Sequence, residues 1–368
     1  MQLKLIMRHE VFIPKKTILL GELCNRHTGF ASGGVTCKLG ALCFYQSLCL
    51  VDSLVLKFPA FAKRQTVSGH CKSTILNRHI IKMTLPDDKK KLLEDITNEL
   101  KQVDGVKAIV LGGSYAIGMA TKSSDLDIGI YYSELNPFDI EKVREVAKNI
   151  SNNDQPIVTG FYEWGPWVNG GAWINTTSGE VDFLYKNIEQ ITRTIDNSKN
   201  GIWENNFDQQ PPYGFSSIIF LSETQSSHAL YDPDNVVKNL KESVKQYPKK
   251  LKQSVIQQSL WSAEFTIWQA EKFAGKNDTF NTVGCLTRAT KSIITSLFAI
   301  NELYPMGDKR AISILEQTKI RPEFLSLKID LILCCNKDTL TDNVSHLKKL
   351  FDETVSFADG MYKPYYKL

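Results

Sequence analysis

The chain has 368 residues, 42% of them apolar, with 44 Lys/Arg against 40 Asp/Glu and a formal net charge of +4. That length accommodates two ordinary domains of about 100–200 residues each, and so small a charge excludes the strongly basic footprint of a duplex nucleic-acid binder. The charge is unevenly placed, because residues 1–82 hold 12 Lys/Arg and 3 Asp/Glu while the remainder is mildly acidic at 32 against 37.

Residues 1–82 show no sustained period of 2 or 3.6 and contain Cys24, Cys37, Cys43, Cys49 and Cys71, five of the eight cysteines. No pair has C-x-x-C spacing, which excludes zinc-ribbon and thioredoxin readings. The most apolar run, 41–62, is broken by Asp52 and Lys57, and Met1–Ile13 lacks the long apolar stretch of a signal peptide. No membrane partner is expected. The few later cysteines suit a reducing cytoplasm. Residues 1–82 are therefore expected to be a poorly ordered or non-native amino-terminal extension, with the functional protein beginning near Met83.

From Met83 the sequence alternates. Thr84 can cap a helix that has Pro86, Asp87 and Asp88 in its first turn, a stripe of Leu92, Leu93, Ile96 and Leu100, and a stop at Gly105. Strands are predicted over 107–113 and 126–132, with a turn or short helix over 114–120 between them. A helix over 139–150 follows, then two strands in "WVNGGAWIN" and "GEVDFLYK" around Ser178 and Gly179, then a helix over 188–198. Beyond Pro211 the pattern turns helical. Leu251, Val255, Trp261, Phe265 and Trp268 mark one face, and Val283, Leu286, Ile293, Leu297 and Ile300 another, with a break over 275–278. The expected fold is α+β, a mixed sheet flanked by helices over 83–200 followed by a helical domain over 201–368. The basic runs "DKKK" and "YPKKLKQ" read as exposed helix faces.

The stretch "LGGSYAIGMATKSSDLDIGIYY", 111–132, carries the chemistry. Gly113-x4-Gly118 has P-loop spacing, but Met119 and Ala120 stand where Lys and Ser/Thr belong. A G-x-G-x-x-G fingerprint is absent from this turn. An EF-hand is excluded, since Ile130 and Asn136 replace the required Gly and Glu. There remains a strand whose Asp125 and Asp127 project from one face about 6.5 Å apart along the backbone, with Leu126 and Ile128 on the other. Two such carboxylates suit hard divalent cations, while Gly112 and Gly113 permit a sharp turn and amides after Ser114 can donate to a phosphate. A third carboxylate should come from a neighbouring strand. Asp182 in "SGEVDFLYK" is the candidate, with Glu180 a weaker competitor.

This combination of a Gly-Ser turn, an Asp-x-Asp pair and a later strand Asp resembles the DNA polymerase β-type nucleotidyltransferase superfamily. With a helical carboxy-terminal domain, it is similar to the small-molecule branch that includes aminoglycoside and lincosamide nucleotidyltransferases. The resemblance implies that Gly112, Gly113 and Ser114 hold the triphosphate of a nucleoside triphosphate, and that Asp125, Asp127 and Asp182 coordinate two Mg2+ ions. It implies transfer of a nucleoside monophosphate to the hydroxyl of a small-molecule acceptor, with pyrophosphate leaving. No motif marks the general base; Asp182 and Glu302 are the candidates. Two alternatives stand beside it: a D-x-D glycosyltransferase using a nucleotide sugar, and a nucleotidyltransferase-like binding or antitoxin-type module without turnover. Trp164, Trp167 and Trp173 read as packing, Lys309 and Arg310 as solvated, and His228 as structural.

Overall fold

The computed structural model describes residues 85–152 and 155–366, so the expectations for 1–82 and for Thr84 lie outside it. Helix α1 (Asp87–Leu100) has Asp87 and Asp88 in its first turn and buries Leu93, Ile96 and Leu100. Its positive end meets the acids, and its apolar stripe packs. Lys89 is a correction to the exposed basic face: it is 5% exposed, donates to the Ser124 carbonyl and lies 5.4 Å from the Tyr115 ring. Its stem lies along apolar surface while the carbonyl and the ring satisfy its ammonium.

Gly105, at φ +87°, turns the chain into β1 (Val106–Leu111). A single-turn helix α2 (Gly113–Ala116), strand β2 (Leu126–Tyr132) and helix α3 (Ile140–Ile150) follow. Asp139 caps α3 by accepting from the Glu141 amide at 2.9 Å, which satisfies a donor the helix leaves open. Next come β3 (Ile157–Val158), β4 (Gly171–Thr176), β5 (Gly179–Asn187) and α4 (Ile188–Lys199). The strand expected in "WVNGGAWIN" thus starts only at Gly171, where a Cβ would lie 1.8 Å from the Phe183 carbonyl.

A small hairpin of β6 (Asn205–Asn206) and β7 (Phe215–Ser216) precedes α5 (Ile218–Ser226), β8 (His228–Tyr231) and α6 (Val236–Ser243). The six-stranded sheet has the order β3-β4-β5-β2-β1-β8, with β2 and β5 parallel and the other neighbours antiparallel. Edge strand β8 corrects the purely helical reading beyond Pro211. Its four residues are too few to show a period, and pairing with β1 makes it a strand.

The remaining helices are α7 (Lys249–Ala274), α8 (Thr279–Ile300), α9 (Ala311–Leu315), α10 (Leu325–Leu333) and α11 (Leu340–Ser356). By length and composition α8 could cross a membrane, yet it packs in the core of this protein against α7 and α11. The stripe expected on α7 divides: Leu251 and Val255 are buried with Ile256, Leu260, Ala263 and Ile267, whereas Phe265 is exposed. Trp261 meets Tyr365 and Tyr366 instead, an aromatic surface cluster that helical spacing alone does not separate from a core face.

The sheet separates two cores. Ile109, Leu111, Ile128, Ile130, Val181 and Phe183 pack with α1 and α3. Ala108, Val110 and Tyr131, alternating with them, join the core of α5 to α11. The face carrying Asp127 and Asp182 is therefore the one the later helices cover.

Candidate active site

Parallel pairing sets Asp127 directly opposite Asp182, in a register that also matches Leu126 with Val181 and Ile128 with Phe183. Those flanking residues are buried below the sheet, and that burial fixes which face the acids take. Asp125, just before β2, completes the group, and carboxylate oxygens of Asp125, Asp127 and Asp182 lie within 4.8 Å of one another.

Burial, with Asp125, Asp182 and Glu223 adding repulsion, pushes the Asp127 carboxyl up from 3.8 to about 7 although Lys186 opposes it. Burial, Asp125 and Glu180 push Asp182 to about 6 against the pull of Lys309. Among the described residues the nearby cations leave negative charge uncompensated at this point. Three hard oxygen donors with uncompensated charge are the donor set a divalent cation takes.

The glycine turn is built around the same acid. Gly112 is extended at φ −110°, correcting the expectation that both glycines make the bend, and its amide donates to the Asp127 carbonyl at 2.8 Å. Gly113 makes the bend at φ +57°, and a Cβ there would fall 1.6 Å from Asp127 Oδ2. The Ser114 hydroxyl is buried with no hydrogen-bond partner among the described residues. At the head of α2, helical geometry leaves the first amides without intrahelical partners. An acceptor-rich anion would satisfy both.

Glu180 is exposed beside Asp182, whereas Glu302 is ion-paired with Lys252 at 2.9 Å and stands outside the acid group. Two charged residues near the acids, Lys186 and Glu223, escaped the sequence reading, and a third was read differently. Lys186 pairs with Glu223 at 2.6 Å, and Lys309, expected to be merely solvated, acts on Asp182. Lys186 was findable, since it lies four residues after Asp182 on one strand face. Glu223 was not, since it comes from α5. Arg310 donates to the Met119 carbonyl at 3.0 Å and a His228 ring nitrogen bonds the Ala116 carbonyl at 2.8 Å, so both hold the chain after the glycine turn. Trp167 stacks on Phe215 in the core, and Trp164 stacks on Trp173.

A cavity of about 520 Å³ has Trp203, Tyr213, Ser216, Arg288 and Lys291 in its wall. Two of its lining residues are close in sequence to residues that act on the acids. Ile219 lines it one helical turn before Glu223, and Gly307 lines it two residues before Lys309. Trp203 Nε1 and Ser216 Oγ are buried without partners among the described residues.

Residues 93–162 match the nucleotidyltransferase domain family, and residues 219–309 match a domain of unknown function (DUF4037). Caffeine-induced protein 16 of Schizosaccharomyces pombe is 36% identical over 70 residues, a match spanning 18% of this chain and 6% of that protein. A nucleotidyltransferase-like protein from Exiguobacterium sibiricum aligns with TM-score 0.39 and 8% identity over 74% of this chain and 78% of the other. The CdnE cyclic dinucleotide synthase of Elizabethkingia meningoseptica, solved with GTP and Apcpp, aligns with TM-score 0.20 and 12% identity over 73% and 89%. The chain thus carries a nucleotidyltransferase domain. The family match includes the Gly-Ser turn, Asp125 and Asp127 and stops before Asp182, which strand register alone brings to them.

Proposed function

We propose that this chain, starting from its nucleotidyltransferase domain, transfers a nucleoside monophosphate from a nucleoside triphosphate, ATP among them, to a hydroxyl of a small-molecule acceptor. The observation that carries the reading is the convergence of Asp125, Asp127 and Asp182 within 4.8 Å beside a glycine bend and an unpartnered Ser114 hydroxyl. A module that only binds has no use for three mutually repelling carboxylates.

Asp125, Asp127 and Asp182 offer a donor set that fits Mg2+ and would hold two such ions. When bound, such ions neutralise the triphosphate and lower the pKa of the attacking hydroxyl. The protein supplies the rest. Ser114 and the amides of the Gly113 bend donate to phosphate oxygens, and Lys309 adds a cation on the Asp182 side. The cavity holding Arg288, and Lys291 paired with Asp308, has aromatic side chains that suit the base and sugar of the donor. Because these donors are fixed before the substrate arrives, positioning and electrostatics carry the catalysis. Among the described residues Cys285, Cys334 and Cys335 are unpaired thiols, which supports placing the reaction in a reducing cytoplasm.

The test is incubation with α-labelled nucleoside triphosphates and Mg2+ across a panel of hydroxyl acceptors, wild type beside Asp127→Ala. Pyrophosphate release with labelled product, lost in the variant while its circular dichroism is unchanged, is the expected result. Equal turnover by the variant would refute the assignment.

A further inference from the structure

Strand pairing continues the row of side chains that contains the acids. Asp127 faces Asp182 across β2 and β5, and Asp182 faces Trp173 across β5 and β4. Residues directly opposite share a face of the sheet, so an indole stands next in line after the last acid. Trp173 is 51% exposed although it is large and apolar, and its partner on β3, Ile157, is 57% exposed. Core packing does not account for that exposure.

The indole is braced. Trp164 stacks on it at 4.7 Å with an interplanar angle of 22°, and Trp164 lies so close to Gly171 that a Cβ there would be 3.0 Å from its ring. One ring face of Trp173 is thereby occupied, while the other edge of the residue opens on a cavity of about 400 Å³ whose wall also includes Asn175, Glu180 and Asp182. This cavity has two carboxylates and no cation among its lining residues, the reverse of the Arg288 and Lys291 cavity. Glu180 beside Asp182 disfavours an anion in this wall, whereas in the other wall Arg288 supplies a cation and Lys291 is ion-paired with Asp308.

We propose that Trp173 is an acceptor-binding residue: a ring-bearing alcohol, neutral or cationic, stacks on its indole with hydroxyls directed to Asn175 and Glu180, which presents one hydroxyl at Asp182. The word acceptor rests on the nucleotidyl-transfer reading, but the binding site does not. A flat apolar indole beside hydrogen-bonding side chains is the chemistry that holds a saturated or planar ring by one face.

Binding is measured by saturation-transfer NMR and calorimetry in the absence of nucleotide, with cellobiose (neutral), kanamycin (cationic) and glucose 6-phosphate (anionic) as probes. Cellobiose or kanamycin should bind wild type and weaken at least tenfold in Trp173→Ala, with Trp173→Phe within about threefold, since phenylalanine keeps an aromatic face for the ring. Glucose 6-phosphate should bind at least tenfold more weakly than the better of the other two. Undiminished binding by Trp173→Ala, a preference for the phosphate, or no binding of either uncharged or cationic probe would each overturn the proposal. Trp173→Phe guards against a folding artefact in the alanine variant. Because no triphosphate is present, a failure of nucleotidyl transfer registers only in the turnover assay and a failure of this site only here.

Discussion

Gly113 is set by steric need. At φ +57° a side chain costs about 1–2 kcal/mol in backbone energy, and here its first carbon would also meet Asp127 Oδ2 at 1.6 Å. Gly113→Ala should therefore displace Asp127 and remove Mg2+-dependent turnover, with thermal stability reduced by a few degrees; turnover at the wild-type rate would contradict it. The acids themselves make stability depend on pH in a defined direction. Asp127 and Asp182 are raised from 3.8 to about 7 and about 6 in the folded chain. They contribute stability to the metal-free protein that is fully present below pH 3.8 and is lost as the pH rises through about 6 and about 7. A divalent cation favours the ionised form, so Mg2+ should raise Tm by little near pH 5 and by several degrees near pH 8. Asp127→Asn, which keeps the shape and removes the charge, should flatten both effects and make the metal-free protein more stable near pH 8. A scanning fluorimetry grid of pH against Mg2+ reads all of these, and a Mg2+ shift independent of pH would refute the linkage. The acids were legible in the sequence because strand alternation dictates which face they take.

At the scale of elements, β5 and α5 meet through Lys186 and Glu223, and this pair tunes the acid group from outside it. Lys186 lowers the Asp127 pKa and Glu223 raises it. Lys186→Met should move the acidic limb of the kcat/KM profile to higher pH, and Glu223→Gln should move it to lower pH, each with the fold retained. Shifts in the same direction for both variants would rule out the electrostatic explanation. This coupling was illegible beforehand for a physical reason: periodicity says which way a side chain points from its own element, but not which helix later covers it. Helix α1 shows the same limit. Its apolar stripe could be read, yet Lys89 looked like one of three exposed lysines until the Ser124 carbonyl and the Tyr115 ring supplied its partners. Strand β8 was missed because four residues carry no period, whereas β2 and β5, at seven and nine residues, announced themselves.

Across the whole molecule, the sheet that carries the acids does not own both of its faces. Ala108, Val110 and Tyr131 from the sheet, and Ile191 and Ile195 from α4, are buried in the same core as α5, α7, α8 and α11, and β1 needs β8 to cover its outer edge. Burial of Val110, Ile191 and Ile195 alone contributes roughly 1.5–3 kcal/mol each. The sum is comparable to the roughly 5–15 kcal/mol that stabilises a whole domain. A chain ended after residue 200 should therefore lose cooperative folding even though it retains the Gly-Ser turn and all three acids. It would bind a hydrophobic dye and show no sharp thermal transition, while the full-length protein unfolds in one coincident step by near- and far-ultraviolet circular dichroism. The consequence reaches the chemistry, because α5 and the turn between α8 and α9, both missing from such a fragment, bring Glu223 and Lys309 to act on the acid group. A fragment that melts sharply and still shows a Mg2+-dependent shift in Tm would mean that the acid site is assembled by the sheet without its helical cover.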